Sequence, residues 1–135
     1  MRRVIFVGSN PSNASPDLSA FHESTKSSRI LRDWIKEANV SEAVSVNVSD
    51  ETTLNNRALT KSEIESLSYD LENKIRNHMT KDTKVVALGK TAAKALSFTG
   101  LKFFELPHPS GLNRLLNNQD FVKRKIQELK DFIDT

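Results

Sequence analysis

Four short apolar runs alternate with four segments of helical periodicity, and this alternation limits the possible folds more than any other feature of the chain. Val4-Ile5-Phe6-Val7 is continuous, largely β-branched and stopped by Gly8, the pattern of a strand buried on both faces. Ala43–Val48, Lys84–Gly89 and Lys102–Leu106 read as three more strands. From Lys26 to Ala38, the residues Ile30, Leu31, Trp34, Ile35 and Ala38 share one face at helical spacing. Thr60-Lys61-Ser62-Glu63 fits a capping box, and Ile64, Leu67, Leu71 and Ile75 follow on one helical face. Thr91 to Leu96 reads as a short Ala-rich helix ended by Gly100. Asn118 or Asp120 can cap a last helix whose face is Val122, Ile126, Leu129 and Ile133. Strict strand–helix alternation predicts an α/β fold: a three-layer α/β/α sandwich with a central four-stranded parallel sheet and right-handed crossovers. The 135 residues form one domain, residues 1–135, large enough for an ordinary core.

The bulk chemistry removes several function classes. There is no cysteine, which excludes disulfides, thiolate catalysis, zinc–thiolate sites and iron–sulfur clusters. The formal charge of +3 and a sequence pI near 9.3 are compatible with a polyanionic partner without requiring one. The apolar run after Met1-Arg2-Arg3 is too short for a secretory segment, and nothing approaches the ~18 apolar residues of a membrane span. The expectation is a soluble, cytoplasmic monomer that does not engage membranes.

Residues 9–25 and 49–59 are rich in polar and turn-forming residues and read as long loops, which in compact domains tend to be functional. In open α/β sheets, ligands bind outside the carboxyl ends of the strands. Three strand ends here carry polar chemistry: Gly8-Ser9-Asn10-Pro11-Ser12, Asn47, and His108-Pro109-Ser110-Gly111-Leu112-Asn113-Arg114. These are expected to converge on one site. Asn10 beside Pro11 fits simple turn chemistry or an amide that orients a water. Asn47 is less easily dismissed, because Asn is depleted in strands and its fork of one acceptor and two donors can match a nucleobase edge. His108 supplies a proton donor or acceptor near neutrality. His22 lies in the long loop, and His78 falls near a helix end and is expected to be solvated. Glu63, Glu65, Asp70 and Glu72 read as a solvated helix face. Gly89-Lys90-Thr91 follows a strand, but Lys84 stands where a phosphate-loop motif needs its first glycine. A tight turn opening a helix at Thr91 is the better reading, with backbone N–H groups that favour an anion. No residue cluster makes a metal site.

These residues resemble the uracil-DNA glycosylase superfamily. Gly8-Ser9-Asn10-Pro11-Ser12 is similar to the first motif of its mismatch-specific and single-strand-selective branches, Gly-x-Asn-Pro-Gly. His108 to Arg114 is similar to the second motif. It combines the Pro-Ser-Gly-Leu-x-Arg of the mismatch-specific branch with the leading His of other branches. Lys84–Leu96 resembles the third-strand segment of the iron–sulfur-containing branch, and Val46-Asn47-Val48 resembles the strand whose Asn reads the base. The likeness spans nearly the whole chain in the right order.

The resemblance implies a monofunctional DNA glycosylase that flips out uracil, or a related damaged base, and hydrolyses it from DNA without metal or cofactor. Asn10 and His108 are then catalytic. Asn47, Phe21 and Ser9 recognise the base, Phe21 by stacking. Leu112 is the wedge that fills the vacated stack, and Ser110, Gly111, Asn113, Arg114, Lys90 and Thr91 contact DNA. The chain departs from the family pattern in four ways. It is short, lacks the cluster cysteines, carries Asn10 where the most active branch has Asp, and has Ser12 where Gly or an aromatic is common. Two alternatives follow. One is a decayed member that binds DNA or a protein. The other is an unrelated α/β enzyme acting on free nucleosides or nucleotides.

Overall fold

The computed structural model describes residues 3–8, 26–49, 59–109 and 114–135. They form β1 (Arg3–Gly8), α1 (Lys26–Glu37), β2 (Glu42–Asn47), α2 (Lys61–His78), β3 (Lys84–Leu88), α3 (Lys90–Ser97), β4 (Phe104–Leu106) and α4 (Gln119–Asp134), with a short 3-10 helix at Arg114–Asn117 before α4. The four strands make one sheet in the order β2-β1-β3-β4, and every pairing is parallel. This is the expected α/β/α sandwich.

The period-2 alternation of β1 separates two cores. Ile5 and Val7 join Val85, Ala87, Ile64, Leu71, Ile75, Ala92, Ala95 and Leu96 on the face covered by α2 and α3. Val4 and Phe6 join Val86, Leu88, Leu106, Leu31, Trp34, Ala38, Ile126, Leu129 and Ile133 on the face covered by α1 and α4. Val4 to Val7 have no exposed surface, as the continuous apolar run requires. Burying a side chain of that size contributes about 1.5–3 kcal/mol. The chain leaves β1 toward β2 on one side and later crosses to β3 on the other. With one crossover hand, that reversal puts α1 on one face and α2 and α3 on the opposite face.

The ends of the elements refine the expectation. Thr60 Oγ1 accepts from the Glu63 amide at 3.2 Å, and Glu63 Oε1 accepts from the Thr60 amide at 2.8 Å. Both halves of the capping box are therefore made. Thr60→Ala removes one half, and a loss of about 1 kcal/mol in chemical denaturation is the expected result. Asn118, not Asp120, caps α4, its Oδ1 accepting from the Phe121 amide at 3.1 Å. At the end of α1, the amides of Asn39 and Val40 bond to the carbonyls of Lys36 and Ile35, with Asn39 at φ 59°. This is a Schellman closure with Asn in the position usually held by Gly.

Other boundaries shift. β4 starts at Phe104, not Lys102, and β2 spans Glu42–Asn47 in place of Ala43–Val48. α3 begins at Lys90 and is closed at Phe98, whose amide bonds to Ala95 and Leu96 carbonyls. Gly100, expected to end it, lies two residues beyond Phe98. The solvated-face reading holds for Glu65 and Asp70, which are exposed. Glu63 and Glu72 are half-buried: one completes the capping box, the other pairs with Arg76 at 2.8 Å. His78 is exposed, and its carbonyl accepts from Arg3 at 2.8 Å.

Candidate functional site

All four strands point the same way, so their carboxyl ends form one edge. Gly8 ends β1 opposite Asn47, which ends β2. Gly89 follows β3, and His108 lies two residues past β4. Because β1 connects to β2 on one side and lies beside β3 on the other, this edge contains the topological switch point where α/β sheets bind ligands. Asn47 and Gly89 are separated by the end of β1. That is two strand spacings, roughly 10 Å.

Asn47 is 5 % exposed. Lys74 reaches across from α2 and donates to its backbone carbonyl at 3.4 Å. Among the described residues, no hydrogen bond is made by its side-chain amide. A buried amide needs partners for its one acceptor and two donors, so this strand end is suited to a planar polar ligand.

His108 is held by a close approach of two turns. The Gly89 amide donates to the Leu106 carbonyl at 2.8 Å, which ties the end of β3 to the end of β4. Gly89 has φ 94° and ψ 173°, a region open almost only to glycine. A Cβ built there would lie 3.1 Å from His108 Cβ and 3.6 Å from its Cδ2. Gly89 is therefore fixed by conformation and by space, and the space is taken by His108. The expected tight turn is present, but the helix after it opens one residue earlier than Thr91.

His108 is half-buried, and burial lowers its pKa from the ordinary 6.5 by disfavouring the charged ring. Burial therefore favours the neutral imidazole, in which one ring nitrogen is a donor and the other an acceptor. The unfolded chain takes up a proton near pH 6.5 that the folded chain resists, so this group's contribution is complete above 6.5. It falls as the pH drops from 6.5 toward the lower folded value. Urea unfolding at pH 7.5 and pH 5 is expected to show a larger acid loss for the wild type than for His108→Gln, since all other titrating groups are shared.

A cleft of about 580 Å³ opens beside His108, lined by Gly89, Lys90, Glu105, Leu106, Pro107, His108, Phe121 and Lys125. Its size is that of a small-molecule or single-nucleotide site. The structure thus brings Lys90 and His108 together at one cleft. Thr91 sits in the first turn of α3 beside it, and Asn47 is farther along the same edge. Arg114 opens the 3-10 helix. Ser9, Asn10, Phe21, Ser110, Gly111, Leu112 and Asn113 lie outside the described residues, as does His22. Phe121 and Lys125 were missed, because the last helix is read from its apolar face and they lie beside that face. The available signal was the spacing of Phe121, Arg124 and Lys125, which places an aromatic ring and two cations on one side of the first turns of α4. Among the described residues no group of three or more His, Asp or Glu could hold a metal, and no helix is long and apolar enough to cross a membrane.

Comparison with known proteins agrees with this geometry. A search of curated proteins gives no match. The family model described as the uracil DNA glycosylase superfamily matches residues 1–130, which takes in every strand, every carboxyl-edge residue and most of α4. Members of that superfamily generally hydrolyse N-glycosidic bonds. An all-parallel four-stranded sandwich with its polar residues gathered at one switch-point edge, matched over nearly its full length, belongs to the uracil DNA glycosylase superfamily.

Proposed function

We propose that this protein is a DNA glycosylase that takes uracil, or a related damaged base, out of the stack and hydrolyses its N-glycosidic bond, leaving an abasic site. The observation that carries the reading is the pairing on one sheet edge of a buried amide, Asn47, with a half-buried imidazole, His108. An enzyme acting on a base must first extrude it. Leu112 fills the vacated space as an apolar wedge. Arg114 meets the orphaned base or a phosphate, while Ser110, Gly111, Asn113, Lys90 and Thr91 hold the flanking backbone without reading sequence.

The Asn47 amide accepts from uracil N3–H and donates to O4. Cytosine presents the reverse polarity at those positions, which leaves the site's own groups unpaired. Ser9 and Phe21 complete the base pocket, Phe21 by stacking. As the bond between C1′ and N1 breaks, its electron pair stays on the base and positive charge develops on the sugar. His108 donates to uracil O2 and stabilises the anion. Asn10 orients the water that attacks C1′ and then loses its proton to solvent. An amide positions that water and does not deprotonate it, which fits slow chemistry.

The test is excision from oligonucleotides carrying one uracil in a single strand, opposite A, or opposite G, followed by alkaline cleavage, with Asn10→Ala and His108→Ala variants alongside. Cleavage by the wild type that is lost in both variants is expected. No cleavage at high enzyme concentration with gel-shift binding retained points to a DNA-binding module with a decayed site. Cleavage of free deoxyuridine without dependence on DNA points to a nucleoside enzyme.

A further inference from the structure

The cleft beside His108 extends away from Asn47 toward α4, and its chemistry differs from that of a base-reading pocket. Its floor is apolar: Leu106 is buried, and Pro107 and the half-buried Phe121 complete it. Lys90, exposed at the start of α3, and Lys125, on the second turn of α4, supply cations on two different elements. Arg124 adds a third beside the same ring. Its Cζ lies 5.6 Å from the Phe121 centroid, and Lys125 Nζ lies 5.9 Å from it. Glu105 and Glu128 temper this positive charge, Glu105 from the cleft wall and Glu128 through an ion pair with Lys125 at 3.5 Å. Arg124 and Lys125 both lie over the ring, and long flexible side chains in that position can swing from the ring to phosphates. That is the arrangement that holds a single-stranded nucleotide: the base stacks, and the charges track the backbone. A volume of about 580 Å³ admits one nucleotide and not a duplex.

We infer that this cleft holds the nucleotide next to the scissile one, with its base stacked on Phe121 and its phosphate between Lys90 and Lys125. The inference rests on the DNA reading given above and extends it with residues on α4. The occupant is single-stranded DNA, because the cleft is continuous with His108, where the target strand must pass, and its cations complement that strand's phosphates. Its consequence is a preference for substrates whose flanking base is free to unstack.

The test uses the full chain and single strands carrying 2′-fluoro-2′-deoxyuridine, whose glycosidic bond resists hydrolysis, with 2-aminopurine placed on its 5′ or its 3′ side. A change in 2-aminopurine emission on one side only is expected, as that base leaves its neighbours for the ring. Phe121→Leu, which keeps apolar volume but loses the π-face, should abolish the change and weaken single-strand binding roughly tenfold, while Phe121→Trp retains the binding. Lys125→Gln should lower the slope of log K against log salt by about 0.7. If the wild type excises uracil but emission changes on neither side, or the change survives Phe121→Leu, the inference is overturned and the glycosylase reading stands. A Phe121-dependent change without excision upholds single-strand stacking in this cleft and removes the enzyme reading. A wild type that neither binds nor excises overturns both.

Discussion

His108→Ala is expected to lower the single-turnover rate of base excision by 10²–10³-fold while changing DNA affinity by less than about threefold. The reason is where the charge develops. In the ground state uracil O2 is a neutral carbonyl already hydrogen-bonded in water, so a donor there adds little to binding. In the transition state the departing base approaches an anion. A preorganised donor aimed at such charge is worth about 2.7–4 kcal/mol, which is the stated loss in rate. Burial favours the neutral ring, so the donor is an N–H that need not lose a proton. Any inflection that His108 gives the wild-type rate should therefore lie below pH 6.5, where an exposed imidazole would titrate. His108→Gln keeps a donor on a flexible stem and should recover part of the loss. Equal losses in rate and affinity for His108→Ala would rule out the leaving-group role.

Gly89→Ala is expected to damage both stability and chemistry through the turn that Gly89 forms against His108. Its backbone, at φ 94° and ψ 173°, occupies a region that costs another residue about 1–3 kcal/mol. The new Cβ would also press on His108 Cβ from 3.1 Å. The reduced freedom of the unfolded chain returns only about 0.4–1 kcal/mol. A net loss of about 2 kcal/mol should lower Tm by about 8 °C for a domain of this size. Relief of the contact must come from His108 moving, and misplacement by as much as 1 Å would cost on the order of 10²-fold in rate. Gly100→Ala is the control. Nothing lies within 4 Å of a Cβ there, so Tm should hold or rise. Thermal melts and single-turnover excision on the three proteins decide the matter, and a Gly89→Ala protein with wild-type rate would show that His108 does not depend on this turn.

The fold was legible because each apolar run matches its burial. Val4 to Val7 alternate between two cores, so both faces of β1 must be apolar, and the run shows it. Thr60 and Glu63 announce their helix through a local hydrogen-bond exchange that tertiary context does not alter. Strand lengths were less legible. Lys102 and Phe103 continue the apolar run of β4 but find no ladder partner, since β3 pairs with β4 only from Val86 to Leu88. Of the site, Asn47 was readable because a buried amide at a strand end is chemically anomalous. His108 was readable as a titratable ring after a strand. Its tie to Gly89 was not, because two residues 19 positions apart meet only after β3 and β4 pair. Phe121 and Lys125 escaped notice for a similar reason. A helix's flanking residues gain meaning only from what the sheet edge places opposite them.

The order of the strands also bears on how the protein behaves in a crowded solution. Its two outermost strands are unequal. β4 has three residues and offers another chain almost no ladder to extend. β2 has six, and among the described residues no strand pairs with its far side. Glu42 stands at its start, paired with Arg3 at 2.9 Å, and Ala43 is exposed beside it. One charge guards the amino end of that edge, while Val44 and Val46 are only partly covered. Unwanted strand addition would therefore begin at β2, and a lysine at position 43 is the smallest change that would blunt it.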